Sequence, residues 1–305
     1  MPFTLENKII ALLEEKGPLT GSELLEATGD EGLALWKTCR LSTKLLVQTV
    51  GTRYLRLDRR VEGYARLSPS ILREFLTYSV IGMDADPSSI ARRAQAIRSR
   101  IEEISRAKSL LAYNVISSLG SRLIHGTNLN EHACFILAGD IVYNMAHEVP
   151  RPERSTGKLV RGSDIDLVVI VDEFFPSEVT ARLDDVIYQE KYRLFMTPHI
   201  REEIDYVVKD LNRVFEQLKF DTFKHMVACK ILQEGAFLFG SEVIFERLKS
   251  LLREHGVIDR LRVMEQEAQR FRVKAEEYLL SEDPAKIKET GTYLFYPAEE
   301  SEEFE

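Results

Sequence analysis

Apolar positions fall at helical spacing in the first part of this chain and in short strand-like runs further on. Leu5, Ile9, Ile10, Leu12 and Leu13 recur with the helical period, and Gly17-Pro18 ends that run. Thr20 stands before Ser22-Glu23-Leu24-Leu25, a second helix ending at Gly29. Asp30 is placed to cap a third helix anchored by Leu33, Leu35 and Trp36. The runs Leu45 to Val50 and Arg53 to Leu57 are rich in β-formers, and the Gly51-Thr52 connection predicts that they pair as a hairpin. Asp84 to Pro87 reads as a linker. Ser88 or Ser89 can then cap a long helix carrying Ile90, Ala94, Ile97, Ile101, Ile104 and Leu111 at helical intervals. Its other face holds Arg92, Arg93, Arg98, Arg100, Arg106 and Lys108 and reads as solvated.

From Cys134 the period changes. Cys134 to Ala138 is strand-like and stops at Gly139-Asp140, after which Ile141 to His147 reads as a short helix. A basic loop, Pro150 to Arg161, leads into Gly162-Ser163-Asp164-Ile165-Asp166 and five further aliphatics, Leu167 to Val171, with Asp172 as the turn residue. A helical segment from Ser177 to Phe195 precedes a β-branched run, Glu203 to Val208. Lys230 to Gly240 reads as a helix and then a strand. Val243, Phe245, Leu248, Leu251 and Leu252 pattern the next helix, Ile258 to Leu280 another, and Thr292 to Tyr296 a short strand. Helices and strands alternate irregularly, so the class is α+β.

Composition narrows this picture only a little. No aliphatic run approaches the ~20 residues a bilayer span needs, and the N-terminus lacks a signal-peptide layout. Cys39, Cys134 and Cys229 lie far apart, which argues against a disulfide framework or zinc knot and suits buried thiols in a cytoplasmic protein. The net charge of −8 opposes a protein coated in nucleic acid. Its distribution says more, since residues 36–66 hold eight bases against two acids, and the last eight residues hold five glutamates and no base. The histidines show no metal spacing, and neither a P-loop nor a Gly-x-Ser-x-Gly pattern occurs. Tyr143 and Tyr206 are placed to stack a base, with core packing the commoner role.

The chemistry concentrates at Asp164 and Asp166. Residues i and i+2 share a face of a strand, so the two carboxylates point the same way. Holding them together is costly unless a cation intervenes, and oxygen-only ligands favour a hard ion such as Mg²⁺. Asp205, on the later β-branched run, is the third candidate.

A strand, a Gly-containing turn and a strand bearing Asp-x-Asp resemble the polymerase-β-like nucleotidyltransferase superfamily over about residues 110–250. Residues 4–67, three helices and a hairpin, resemble the winged helix-turn-helix family. The resemblances imply a winged helix over 1–82, a linker and connecting helix over 83–110, a mixed-sheet nucleotidyltransferase domain over 111–240, C-terminal helices over 241–297 that pack behind the sheet or cover the nucleotide, and a disordered acidic tail over 298–305. They imply that Asp164 and Asp166 bind two Mg²⁺ ions (Mn²⁺ as substitute). Asp205 would bind the catalytic ion and help deprotonate the acceptor, while Gly139, Asp140, Gly162 and Ser163 contact the nucleotide. The implied reaction moves AMP or another NMP from an NTP, ATP first among them, to the hydroxyl of an RNA or protein.

Where the family has Gly-Ser, this chain has Gly139-Asp140. A serine there helps a helix N-terminus cradle phosphate, whereas an aspartate repels it unless a metal intervenes. Asp140 therefore adds a metal contact, weakens triphosphate binding or marks a degenerate site. Gly120-Ser121-Arg122 is a second placement of the motif, ranked behind because it follows a helix. Residues 148–161 look like an inserted loop whose Arg151, Arg154, Lys158 and Arg161 either reach the triphosphate or acceptor or are solvated. In the N-terminal unit, the third helix would enter a major groove, with Arg53, Arg56, Arg59 and Arg60 on the phosphates of DNA or RNA. The equal reading is a protein-interaction module. The alternatives to an enzyme are a DNA-binding transcriptional regulator whose nucleotidyltransferase fold senses a nucleotide, and a scaffold with neither activity.

Overall fold

The helix and strand signals above largely become elements, but they are joined differently from the expectation. The computed structural model describes residues 4–119, 128–152 and 157–296. Gly120-Ser121-Arg122, His125, Arg154 and the acidic tail lie outside the described residues. The described chain is α+β and divides into two compact units. Among the described residues, one is made of the chain up to Arg100 together with residues 264–296, the other of Ile101–Val263. No helix among the described residues is long and apolar enough to cross a membrane.

The first unit opens with α1 (Leu5–Lys16), β1 (Leu19–Thr20), α2 (Gly21–Thr28) and α3 (Gly32–Leu41). Thr20 and Glu23 form a reciprocal capping box at α2. Asp30 does not cap α3. Its carboxylate instead takes Lys8 at 2.9 Å, and the N-cap position is Glu31, without a side-chain bond. Then come β2 (Leu45–Thr49), β3 (Tyr54–Leu57), β4 (Ala65–Ser68), α4 (Ile71–Thr77) and β5 (Ser79–Met83).

The hairpin expected across Gly51-Thr52 does not form. β2 pairs with β5, and β3 pairs with β4, so the three-stranded sheet runs β1-β5-β2. The reason is burial: β5 offers Val80 and Ile81, both fully buried, as partners for Gln48 and Val47. Gly51, in the left-handed region at φ 80°, turns the chain away from β2 instead of back along it.

The C-terminal segment belongs to this unit, which the sequence did not suggest. The helix α11 (Val257–Ser281) sends Ala275 and Leu279 into the core built by Ile9, Leu24, Leu35 and Phe75. Thr292–Phe295 is a helical turn rather than a strand, and Phe295 packs against Trp36 at 5.7 Å between ring centroids. An ion network around Glu74 and Arg272, both buried, backs the junction. Arg53 grips Glu74 through two nitrogens at 2.6 and 2.7 Å, while Arg272 reaches Glu74 at 3.0 Å and Glu276 at 2.6 Å.

The helix α5 (Pro87–Leu119) starts at a proline in its first turn, where the missing N–H is not needed. Its cap is Asp86, whose Oδ1 accepts from the Ser89 amide and the Ser88 hydroxyl, so neither serine caps it. From Ile101 onward α5 belongs to the second unit.

That unit continues with α6 (Leu129–His132), β6 (Ala133–Ala138), β7 (Arg151–Pro152), β8 (Leu159–Val160), β9 (Ile165–Val171), α7 (Ser177–Met196), β10 (Ile204–Asp210), α8 (Leu211–Gln217), α9 (Phe223–Glu234), β11 (Ala236–Gly240) and α10 (Glu242–Glu254). Its sheet runs β10-β9-β6-β11, with β10 parallel to β9 and the other pairs antiparallel. The inner strand β9 is aliphatic on both faces, and Leu167 to Val171 are all buried. Each such side chain is worth about 1.5–3 kcal/mol of burial. In α10 the buried residues are Ile244, Leu248 and Leu252, and Val243 is exposed. The three cysteines are buried and free, and burial pushes each thiol up to about 12.

Candidate functional site

Strand register brings the acidic residues together. Parallel pairing sets Asp205 beside Asp166 and Ile204 beside Ile165. Asp164, two residues before Asp166, shares its face. One carboxylate oxygen from each of Asp164, Asp166 and Asp205 lies within 4.8 Å of the others, and all three residues are half-buried. At such a distance like charges repel by roughly 3 kcal/mol per pair at an effective dielectric of ~20, before screening by the water they still touch.

Backbone geometry is moulded around this trio. β6 ends at Gly139, whose φ of +70° is left-handed, and a Cβ there would sit 1.9 Å from Asp166 Oδ2. Only glycine leaves room for that carboxylate. Gly162, at φ +66°, is equally constrained, because its Cβ would meet the His147 carbonyl oxygen at 1.7 Å.

Ile141 to His147 is not a helix. A single 3₁₀ turn, Gly139–Ile141, is closed by Asn144 at φ +54°, with the Met145 amide donating to the Asp140 carbonyl at 2.8 Å. The Met145 and Ala146 side chains are buried, which pins this segment in an irregular path that helical continuation would break.

Asp140 and Ser163 meet directly. The buried Ser163 hydroxyl donates to Asp140 Oδ2 at 2.8 Å and accepts from the His147 amide at 3.2 Å. The Ser163 amide donates to the His147 carbonyl at 3.0 Å. These bonds lock the turn after β6 to the start of β9. The Gly139 amide points to Glu234 Oε1 at 3.3 Å, and Glu234 is held by Tyr143 at 2.6 Å and by Lys230 at 2.8 Å.

Among the described residues, Arg151 and Lys191 approach the acidic trio. Arg151 donates from Nε to the Gly162 carbonyl at 2.8 Å, and its Nη2 lies 3.2 Å from Asp164 and 3.0 Å from Glu203. Lys191 of α7 lies 3.8 Å from Asp205. The three carboxylates form an oxygen-lined cluster that could hold a metal ion.

Several supporting residues escaped the sequence reading. Lys108 is buried, not solvated, and its ammonium pairs with buried Glu202 and donates to the Arg161 carbonyl at 2.9 Å. Burial pushes the Lys108 ammonium down and the Glu202 carboxyl up, each opposed by its partner's charge. The signal was present, since Lys108 sits four residues from both Ile104 and Ala112 on the buried stripe. Arg161 pairs with Glu148. His132, one of the histidines without metal spacing, pairs with Asp172 at 2.9 Å.

The four arginines read from sequence as phosphate contacts belong to the other unit. Arg53 is held by Glu74 and by Glu276, and those carboxylates hold its guanidinium above its ordinary range. Arg56 stands opposite Arg66 across the β3–β4 pair, and Arg59 and Arg60 are exposed in the turn that follows β3. Arg66 is buried on Asp58 at 2.9 Å, and Lys37 of α3 donates to the Glu282 carbonyl at 2.7 Å.

Compared with family models, with curated proteins and with solved structures, the chain finds no match.

Proposed function

We propose that the second unit is a metal-dependent nucleotidyltransferase of the polymerase-β-like kind, transferring an NMP from an NTP, ATP first among them, to an acceptor hydroxyl. The observation that carries this reading is the convergence of Asp164, Asp166 and Asp205 on adjacent parallel strands, with Gly139 leaving room for Asp166. Oxygen-only donors of this charge suit Mg²⁺, or Mn²⁺ in its place, held by the three aspartates. When bound, such ions neutralise phosphate charge and lower the pKa of a coordinated hydroxyl.

The chain's own residues do the rest by positioning. Parallel pairing fixes the spacing of Asp166 and Asp205, so little reorganisation remains at the moment of transfer. Arg151 and Lys191 stand on Asp164 and Asp205, where their charges would also meet an incoming triphosphate. Asp140 is engaged by Ser163, so its negative charge is turned into the fold. Asp140 thereby acts as a structural lock where the resembling family has a serine, a role outside the three that the sequence offered.

The first unit supports a winged-helix reading through α1, α2 and α3 on a β1-β5-β2 sheet, with β3, β4 and α4 inserted between the paired strands. Lys37, Arg53 and Arg66 already have acidic or carbonyl partners. This favours a protein-interaction or dimerisation role for the unit over broad phosphate binding. A second reading, a nucleotide-sensing regulator, draws on the Gly139 amide being directed to Glu234.

The test is incubation with each α-phosphate-labelled NTP, Mg²⁺ and cell extract. Label transfer that disappears in Asp164→Ala/Asp166→Ala supports the enzyme. Absence of transfer with every NTP, together with sequence-specific DNA retention, supports the regulator and removes the enzyme.

A further inference from the structure

The acidic trio is part of a larger array. The Ile165 amide donates to the Glu203 carbonyl at 2.9 Å, which carries the parallel ladder of β9 and β10 one step back from the pair of Asp166 and Asp205. That step sets Glu203 beside Asp164. Alternation along each strand then puts Asp164 with Asp166, and Glu203 with Asp205, on one face of the sheet. The four carboxylates stand in two rows, Asp164 with Glu203 and Asp166 with Asp205.

The first row already holds a cation. Arg151 Nη2 lies 3.2 Å from Asp164 Oδ2 and 3.0 Å from Glu203 Oε2. The backbone anchors this guanidinium, since its Nε donates to the Gly162 carbonyl at 2.8 Å and Arg151 pairs with Val160 across β7 and β8. Its grip is unlike that of the arginine in the other unit. Arg53 holds Glu74 with two nitrogens, whereas Arg151 divides one buried nitrogen between two carboxylates, neither of them in line for a hydrogen bond. It is placed as a point of charge, as a bare ion would be. A nitrogen this close to both carboxylates fills the space between them, so an ion cannot bridge the same pair. In the second row Lys191 stays 3.8 Å from Asp205, beyond hydrogen-bond distance.

We infer that the array is built for two cations and that Arg151 is one of them. The protein therefore takes up a single divalent ion, at Asp164, Asp166 and Asp205, where the resembling superfamily implies two. The inference rests on the metal-dependent reading above and narrows it. The charge of the second cation comes from a guanidinium that stays ionised at every working pH and belongs to the chain itself.

The experiment is equilibrium dialysis of the full chain against Mn²⁺, which counts bound ions, with electron paramagnetic resonance to show whether two of them are magnetically coupled. Asp166→Asn/Asp205→Asn supplies the background of ions bound elsewhere on the acidic surface. Wild type should bind one Mn²⁺ above that background, with an uncoupled spectrum. Arg151→Ala should bind two, with the broadening of a coupled pair, and so should Arg151→Gln, which keeps more of the side-chain volume. Adding Glu203→Gln to either should return the count to one, because the opened row then loses a charged ligand. Two coupled ions in wild type overturn the role of Arg151 and leave the metal-dependent reading standing, as does a count of one in both Arg151 variants. Wild type binding no more than the background overturns both. One ion in wild type and two in the Arg151 variants uphold the inference, whether or not label is transferred from any NTP.

Discussion

Replacing Gly139 by alanine probes the site through a single added methyl. That carbon would lie 1.9 Å from Asp166 Oδ2, whereas ordinary contacts begin at 3.4 Å, so the carboxylate must retreat by the difference of 1.5 Å. The left-handed backbone adds strain of roughly 1–3 kcal/mol at a non-glycine residue. A retreat of this size takes Asp166 away from the point that it shares with Asp164 and Asp205. Disturbing groups that merely orient a metal ligand typically costs about 10–100-fold in affinity, so displacing a ligand should cost at least that. Mn²⁺ titration followed by electron paramagnetic resonance reads the affinity, and urea unfolding reads the strain. The expected result is a folded Gly139→Ala protein, modestly destabilised, with Mn²⁺ binding weakened at least tenfold in the sense of that range. Mn²⁺ binding equal to wild type would refute the reasoning, because the trio would then not be the site.

Other predictions concern the groups that support the site. Lys108→Ala strands buried Glu202 and removes a donor from the Arg161 carbonyl, so urea unfolding should show a loss of about 3–5 kcal/mol. Adding Glu202→Gln should restore part of that loss, and an unchanged midpoint in the single variant would contradict the pairing. Lys209 is buried with its ammonium on Gln217 at 2.8 Å, and burial pushes its pKa down to about 8. Its unfolded value is near 10.4, so the unfolded chain binds more protons between these limits and stability rises with pH across that window. The rise belonging to Lys209 is present in full above pH ~10.4, is lost as pH falls through about 8, and amounts to roughly 3 kcal/mol. Lys209→Met should remove that part of the slope in denaturation measured at stepped pH, and an unaltered slope would count against it.

The parts of the fold visible in the sequence are those fixed by local alternation. Ile165, Asp166 and Leu167 announce a strand and its two faces, and the β-branched Val207-Val208 announces the neighbour that carries Asp205. The parts that stayed hidden depend on partners distant along the chain. Gly51-Thr52 looks like a hairpin turn, yet β2 finds its mate only at Ser79–Met83, whose Val80 and Ile81 are fully buried. Lys108 looks solvated until Glu202 arrives beside it. Leu279 and Phe295 carry no mark that assigns them to the core of Ile9 and Trp36. At the site itself, the aspartates were legible from strand period. Arg151 was read only as one base of a loop, and its bridge to Asp164 and Glu203 depends on the paths of residues 145–152 and 157–163.

The most direct test is anomalous diffraction at the manganese edge from crystals grown with Mn²⁺ and a non-hydrolysable nucleoside triphosphate. The account predicts an anomalous peak bonded to oxygens of Asp164, Asp166 and Asp205, with the triphosphate reaching the same ion. A well-ordered nucleotide bound elsewhere, with no anomalous density among the three carboxylates, would contradict it.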